Sequence, residues 1–196
     1  MRNGKLVVLI EVAMFAAFAL ILDLLPSIKI GQMSISFAMV PVFIIAFRWG
    51  VKASALAGFL WGLLQIVVGD LQALAIWQVL LEYFLAFACI GAAGLFFTPI
   101  QHHLKEGNKI KAVLFIIVAT FIGSLARYFW HFIAGATIWA SYAPDDMSPI
   151  KYSLLFNGVP FLGAFILCSI ILAILLIIAP RIVLERPASA QHNSKM

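Results

Sequence analysis

Five polar side chains stand inside long apolar stretches of this chain: Glu82, Arg127, His131, Asn157 and, just before the last, Tyr152. Keeping an ionisable group at bilayer depth costs at least about 2.5 kcal/mol, so such a group faces the protein interior and serves a purpose there. Arg127, His131, Gly135 and Trp139 recur every four residues, which on a helix sets them along one gently spiralling face. Arg127 and His131 supply donors, Gly135 leaves room for a ligand to approach the backbone, and Trp139 offers a flat aromatic wall. Glu82 and its neighbour Tyr83 add a carboxylate and a phenol from another helix. An acid beside aromatic faces suits a cationic heteroaromatic molecule, which gains charge pairing and cation–π attraction together.

The same residues admit plainer roles. Glu82 and Arg127 would serve equally as a buried ion pair between two helices, with His131 and Asn157 as interhelical hydrogen bonders. Trp77, Trp139 and Tyr142 have the character of interfacial anchors. Glu11 and Asp23 lie near the two ends of the first apolar run and are expected to reach water. Cys89 and Cys168 sit in apolar runs as small packing residues. No phosphate-binding G-x-x-x-x-G-K-[ST] loop and no G-x-S-x-G elbow is present. Ser124 lacks an oxyanion scaffold, and His102 and His103 fall in a basic, solvated segment, so neither an enzyme, a cofactor nor a metal site is expected. No clustering of Lys and Arg with surface aromatics points to nucleic acid. The residues describe a binding site without an engine of its own.

The elements that position these groups follow from composition. Of 196 residues 64% are hydrophobic and 11% charged, with mean hydropathy +1.09; a soluble domain carries roughly a quarter charged residues. Membrane lipids, not water, solvate such a surface. Apolar runs near the length of a membrane span cover roughly 5–25, 36–48, 51–69, 75–99, 110–140 and 152–179. The second is short, and is expected to be tilted or set into a thin part of the bundle. The fold class expected is an all-α integral membrane protein, six transmembrane helices in a single bundle spanning 1–182, with a tail over 183–196. Six crossings put Arg2, Lys5, Arg48, Lys52, Lys105, Lys109, Lys111, Arg181, Arg186 and Lys195 on one side. Lys29 and Lys151 stand opposite with Asp70, Asp145 and Asp146, so both termini are cytoplasmic. In this topology Glu82, His131, Tyr152 and Asn157 all lie toward the outer face. Ala13-x-x-x-Ala17 makes a small-residue patch on the first helix that permits close approach of another helix, from this chain or a partner.

Three segments are similar to one family: WQVLLEYFLAF from Trp77, RYFWHFIAGATIWASYAP from Arg127 and SPIKYSLLFNG from Ser148. They resemble the thiamine-specific substrate-binding component of energy-coupling-factor transporters, and the likeness runs along nearly the whole chain, including the RWGVKA turn from Arg48. The resemblance implies a multi-pass protein of a bacterial cell membrane that binds thiamine near the extracellular face. A separate transmembrane coupling subunit and two ATPase subunits then supply the energy. It assigns Glu82, Tyr83, His131, Gly135, Trp139, Tyr152 and Asn157 to the ligand pocket, with the ligand rings stacked on Trp139. Arg127 stands where a Lys is also expected, keeping the charge but altering the reach. The alanine-rich first helix implies that Ala13 and Ala17 face the coupling subunit. Some members carry a Trp in the first outer loop; KIGQMSISF has none, which leaves Gln32 or Met33 to close the site. Two other readings remain: a self-sufficient proton- or cation-coupled carrier using Glu82 and Arg127 as a linked pair, and a structural subunit that binds no small molecule.

Overall fold

The computed structural model describes residues 2–25, 28–30, 33–69, 71 and 73–184, with the backbone alone for 2–3 and 28–30. Gln32, Asp70, Arg186, Lys195 and most of the tail assigned from 183 lie outside the described residues, as does the side chain of Lys29. Among the described residues the order is α1 (Arg2–Leu24), β1 (Ile28–Ile30), β2 (Met33–Ile35), α2 (Val40–Trp49), α3 (Val51–Val67), α4 (Ile76–Lys105), α5 (Lys109–Thr137) and α6 (Pro149–Ile178). Short 3₁₀ turns at Ala140–Tyr142 and Pro180–Ile182 follow α5 and α6. Four helices, α1 and α4 to α6, are long and apolar enough to cross a membrane; α2 and α3 are shorter but apolar. The architecture is that of a helical membrane protein.

Helix boundaries follow local chemistry. The Asn108 side chain accepts from the Lys111 amide to open α5, and Ser148 accepts from Lys151 just ahead of Pro149 to open α6. Gly50, at φ +77°, turns the chain from α2 directly into α3, a conformation that side-chain-bearing residues rarely adopt.

The second helix is as short as its apolar run. From Val40 to Phe47 every residue of α2 is buried, so it is the core around which the others pack. Helices α3 and α4 touch backbone to backbone. A Cβ on Gly58 or Gly62 would collide with the carbonyls of Phe87 and Tyr83, and one on Gly91 or Gly94 would strike Ala55 or Val51. Small residues therefore set the spacing, as dispersion-driven helix packing in lipid requires.

The all-α class holds with one small addition, a two-stranded antiparallel hairpin with Ile28 opposite Ile35 and Ile30 opposite Met33, whose Ile35 side chain packs against Gly163 of α6. The segment read as a polar loop from Gln101 is helical to Lys105, and the His103 ring lies over Phe115 at 5.5 Å instead of in solvent. At this end of the bundle Glu11 does not simply face water. It accepts from Arg48 Nε at 2.6 Å, Arg48 Nη2 at 3.0 Å and Trp49 Nε1 at 2.6 Å. Arg48 Nη1 also donates to the carbonyls of Ile182 and Leu184 at 3.1 and 3.2 Å. Gln101 ties the carbonyls of Phe47 and Val183 together, at 3.2 and 2.9 Å. The network joins α1, α2, α4 and the segment after α6 at one end.

Candidate functional site

At the other end lies a cavity of about 490 Å³. Glu82, Tyr83, Arg127, His131, Gly135, Trp139, Tyr152 and Asn157, all expected from the sequence, line it together. With them are Asp23, Gln65, Gln78, Phe87, Tyr142, Ser153 and Phe156, which sequence reading had not assigned to a site.

Glu82 is the most heavily held group. It sits in a π-helical turn, Leu80–Leu85, inside α4, the type of local widening often found at functional sites. Its Oε2 accepts from the Gln78 amide and from Trp139 Nε1 at 3.2 Å, while His131 Nδ1 stands 3.6 Å from Oε1. Gln78, fully buried one turn earlier, also accepts from the Leu74 amide at 3.2 Å, tying the acid to the segment entering α4. Nothing in a linear reading marks Gln78 except its place four residues before Glu82.

Arg127 does not pair with Glu82 among the described residues, so the buried ion pair weighed for them is not formed. Its guanidinium carbon lies 4.3 Å from the Phe87 ring centroid, 4.9 Å from that of Trp61 and 5.5 Å from that of Tyr128. Desolvated cation–π contacts are worth up to about 2 kcal/mol each, enough to offset a large part of the cost of seating this charge in an apolar wall. Arg127 Nε and His131 Nε2 are buried without a hydrogen-bond partner among the described residues. Unpaired buried polar atoms are costly; a ligand acceptor would satisfy Arg127 Nε, and a ligand donor would satisfy His131 Nε2 in the neutral ring.

The spiral face on α5 is realised as expected, and the chain holds it past the helix end. Ile138 and Trp139 both donate to the carbonyl of Ala134, at 2.8 and 3.0 Å, which keeps Trp139 over the cavity. Gly135 lines the cavity, as expected, and also opens space toward α6. A Cβ there would collide with Ser153 Oγ and come within 3.0 Å of Asn157 Nδ2, so its missing side chain makes room for the polar groups of α6. Ser153 in turn donates to the Phe132 carbonyl at 2.7 Å, and Asn157 Nδ2 meets Ser153 O and Oγ at 3.1 Å. Buried Pro160 cannot donate to the Phe156 carbonyl one turn back, leaving that group free of its helical bond beside the cavity.

Asp23 departs most from the solvated role expected of it. It lines the cavity, accepting from the Gln65 amide and from Ser36 Oγ at 3.3 Å. Trp77 is 73% exposed and outside the cavity, whereas Tyr142 lines it and lies tilted against Trp139 with ring centroids 5.3 Å apart. Away from the cavity, His102, His103 and Glu106 hold ligand atoms within 4.8 Å of one another at the end of α4.

Taken together, these features define a helical membrane protein with a cavity lined by acids, donors and aromatic rings. Residues 9–184 match the family model described as thiamine transporter protein, and the chain belongs to that family. The family is one of membrane transport proteins, not enzymes. The chain is 41% identical over 184 residues to the thiamine transporter ThiT of Bacillus subtilis, covering 92% of this chain and 96% of that one. With the ThiT of Lacticaseibacillus paracasei it shares 34% over 185 residues, 92% of each. A solved structure of ThiT from Listeria monocytogenes superposes with a TM-score of 0.89 at 37% identity, covering 93% of this chain and all of that one.

Proposed function

We propose that this chain is the thiamine-binding membrane subunit of an ATP-driven energy-coupling-factor importer of the bacterial cell membrane. It captures thiamine from outside and passes it inward through a shared energising module. The observation that carries the reading is Glu82, held at the cavity wall by Gln78, His131 and Trp139. An anchored carboxylate among aromatic rings suits a cation made of two flat rings, one bearing an amino group. A cavity of about 490 Å³ is of ordinary size for such a ligand. In this reading Glu82 and Asn157 address the polar edge of the pyrimidine, Trp139 stacks on the rings, and Tyr83, Arg127, His131, Gly135 and Tyr152 complete the wall. Both the family and the names of the relatives support thiamine as the ligand.

Six crossings with both termini in the cytoplasm accord with the bundle, since the basic ends of α2, α4 and the segment after α6 meet at the end opposite the cavity. Ala13 and Ala17 are exposed on α1, a small-residue surface suited to the coupling subunit, which itself engages two ATPases. Replacing both with Leu is expected to leave thiamine affinity unchanged and to abolish uptake when the energising subunits are co-reconstituted; lost affinity would refute the assignment.

Titrating the purified chain with thiamine while following tryptophan fluorescence tests the site. Strong quenching is expected in the wild type and weak binding in Trp139→Ala, with Trp139→Phe between them because it keeps the ring but loses the bond to Glu82. Tight binding that survives Trp139→Ala unchanged sinks the stacking role. The self-sufficient carrier required Glu82 and Arg127 as a linked pair, and they are not paired. Uptake by the chain alone, driven by a pH gradient, would favour that carrier over the proposal.

A further inference from the structure

We propose that Asp23, seated by Gln65 and Ser36, is a second anionic pole of the cavity, and that it makes the site prefer the free alcohol of its ligand to the phosphate ester. The inference rests on the thiamine reading: thiamine carries a hydroxyethyl arm on its cationic ring, and its phosphate esters differ from it only at that arm.

Three elements converge on Asp23. The acid lies near the end of α1, Gln65 on α3 is 4% exposed and donates to one carboxylate oxygen, and Ser36, just after β2, donates to the other. Among the described residues, Asp23 and Glu82 are the carboxylates lining the cavity, and each is gripped by the amide of a buried glutamine, Gln65 and Gln78 respectively. A neutral amide fixes a carboxylate without cancelling its charge, whereas a Lys or Arg partner would cancel it. Among the described residues Asp23 has no cation within ion-pair distance; Arg127, also in the cavity wall, packs on the Trp61 and Phe87 rings. The negative charge of Asp23 is thus fixed in place and left for a ligand.

Hydrogen-bonding capacity leads to the same conclusion. A carboxylate oxygen accepts two bonds. Among the described residues each oxygen of Asp23 accepts one hydrogen bond. One position on each remains for a donor such as a hydroxyl. The two acids reach the cavity from different helices, Asp23 from near the end of α1 and Glu82 from the π turn of α4. Esterifying the hydroxyl removes the donor and brings roughly −1.5 to −2 of charge toward the carboxylate. Like-charge juxtaposition of this kind is a means of rejecting a near-identical ligand.

The test is calorimetric titration of the purified full chain with thiamine and with thiamine monophosphate. Asp23→Asn, which keeps the shape, is expected to weaken thiamine and to lower the ratio of monophosphate Kd to thiamine Kd by about tenfold or more. Asp23→Ser is expected to move the ratio in the same direction and stands in should the Asn variant not fold. Glu82→Gln is expected to weaken both ligands in parallel, with the ratio held within about threefold. A ratio unchanged in the Asp23 variants overturns the inference, even if affinity falls, since a parallel loss marks a structural role only. A well-folded wild type that binds neither ligand overturns the thiamine reading, and this inference with it.

Discussion

Replacing Gln78 with Leu isolates how the acid of the site is held. The two side chains are similar in size and the position is fully buried, so the change removes one donor from Glu82 Oε2 and one acceptor from the Leu74 amide while keeping the packing. Trp139 at 3.2 Å and His131 at 3.6 Å remain to hold the carboxylate. Glu82 therefore regains only part of the ~1.5–2 kcal/mol of rotamer freedom a glutamate loses on being fixed, and ligand must restore that order on binding. Taking half of it gives about 1 kcal/mol, or roughly a fivefold rise in Kd for thiamine. Glu82→Gln removes the charge itself. At ~5–6 Å from a cationic ligand, in an effective dielectric near 20, that charge is worth about 3 kcal/mol, more than a hundredfold in Kd. If Gln78 acts through Glu82, the two losses do not add: in the Glu82→Gln background, Gln78→Leu costs less than about twofold, a coupling near 1 kcal/mol. Calorimetry on the four proteins of this cycle reads the coupling directly. A double variant that shows the full product of the single losses refutes the idea that Gln78 positions the acid.

Other parts of the molecule respond differently. Gly62→Ala forces a methyl group into the Tyr83 carbonyl, so α3 and α4 must separate; a drop in melting temperature equivalent to about 2 kcal/mol or more is expected, with thiamine affinity falling as the π turn shifts. Arg48→Ala breaks the 2.6 Å ion pair to Glu11 and two carbonyl bonds at the far end. Its groups are partly buried, which points to about 2 kcal/mol of lost stability, seen as a lower melting temperature with thiamine Kd unchanged within about twofold. Arg127→Lys keeps the charge but loses the flat guanidinium above Phe87 and Trp61. A loss of about 1–2 kcal/mol of stability is expected by thermal shift; an unchanged melting temperature would show that the ring contacts carry no energy.

Much of the site was legible before any coordinates, because lipid makes polar residues conspicuous. Glu82, Arg127, His131 and Asn157 stand out when each costs kilocalories to keep in an apolar run, and the four-residue spacing of α5 put Trp139 with them. Uncharged and terminal groups were harder to read. Gln65 and Gln78 carry no charge, so a hydropathy reading passes over them, though each positions a carboxylate. Asp23 was taken for a residue reaching water because it ends a helix. Its role depends on which helix stands beside that end, and that is a property of the bundle. The hairpin was missed although I-K-I and M-S-I alternate with the period of a strand, because three-residue strands give too short a pattern to outweigh an apolar background.

Composition and periodicity were enough for the membrane class, the approximate bounds of the apolar helices and the polar face on α5, since these depend on local transfer free energy and on the 3.6-residue repeat. Pairing was settled by packing. Whether Glu82 meets Arg127 or His131, which side chains of α6 reach Gly135, and whether Asp23 lines a cavity all turn on contacts between residues far apart in sequence. Those contacts are set by backbone approach at glycines such as Gly62 and Gly135 and by a π turn that shifts the register of Glu82. Neither leaves a periodic signal in the chain, because each is a response to a neighbouring helix and not to adjacent residues.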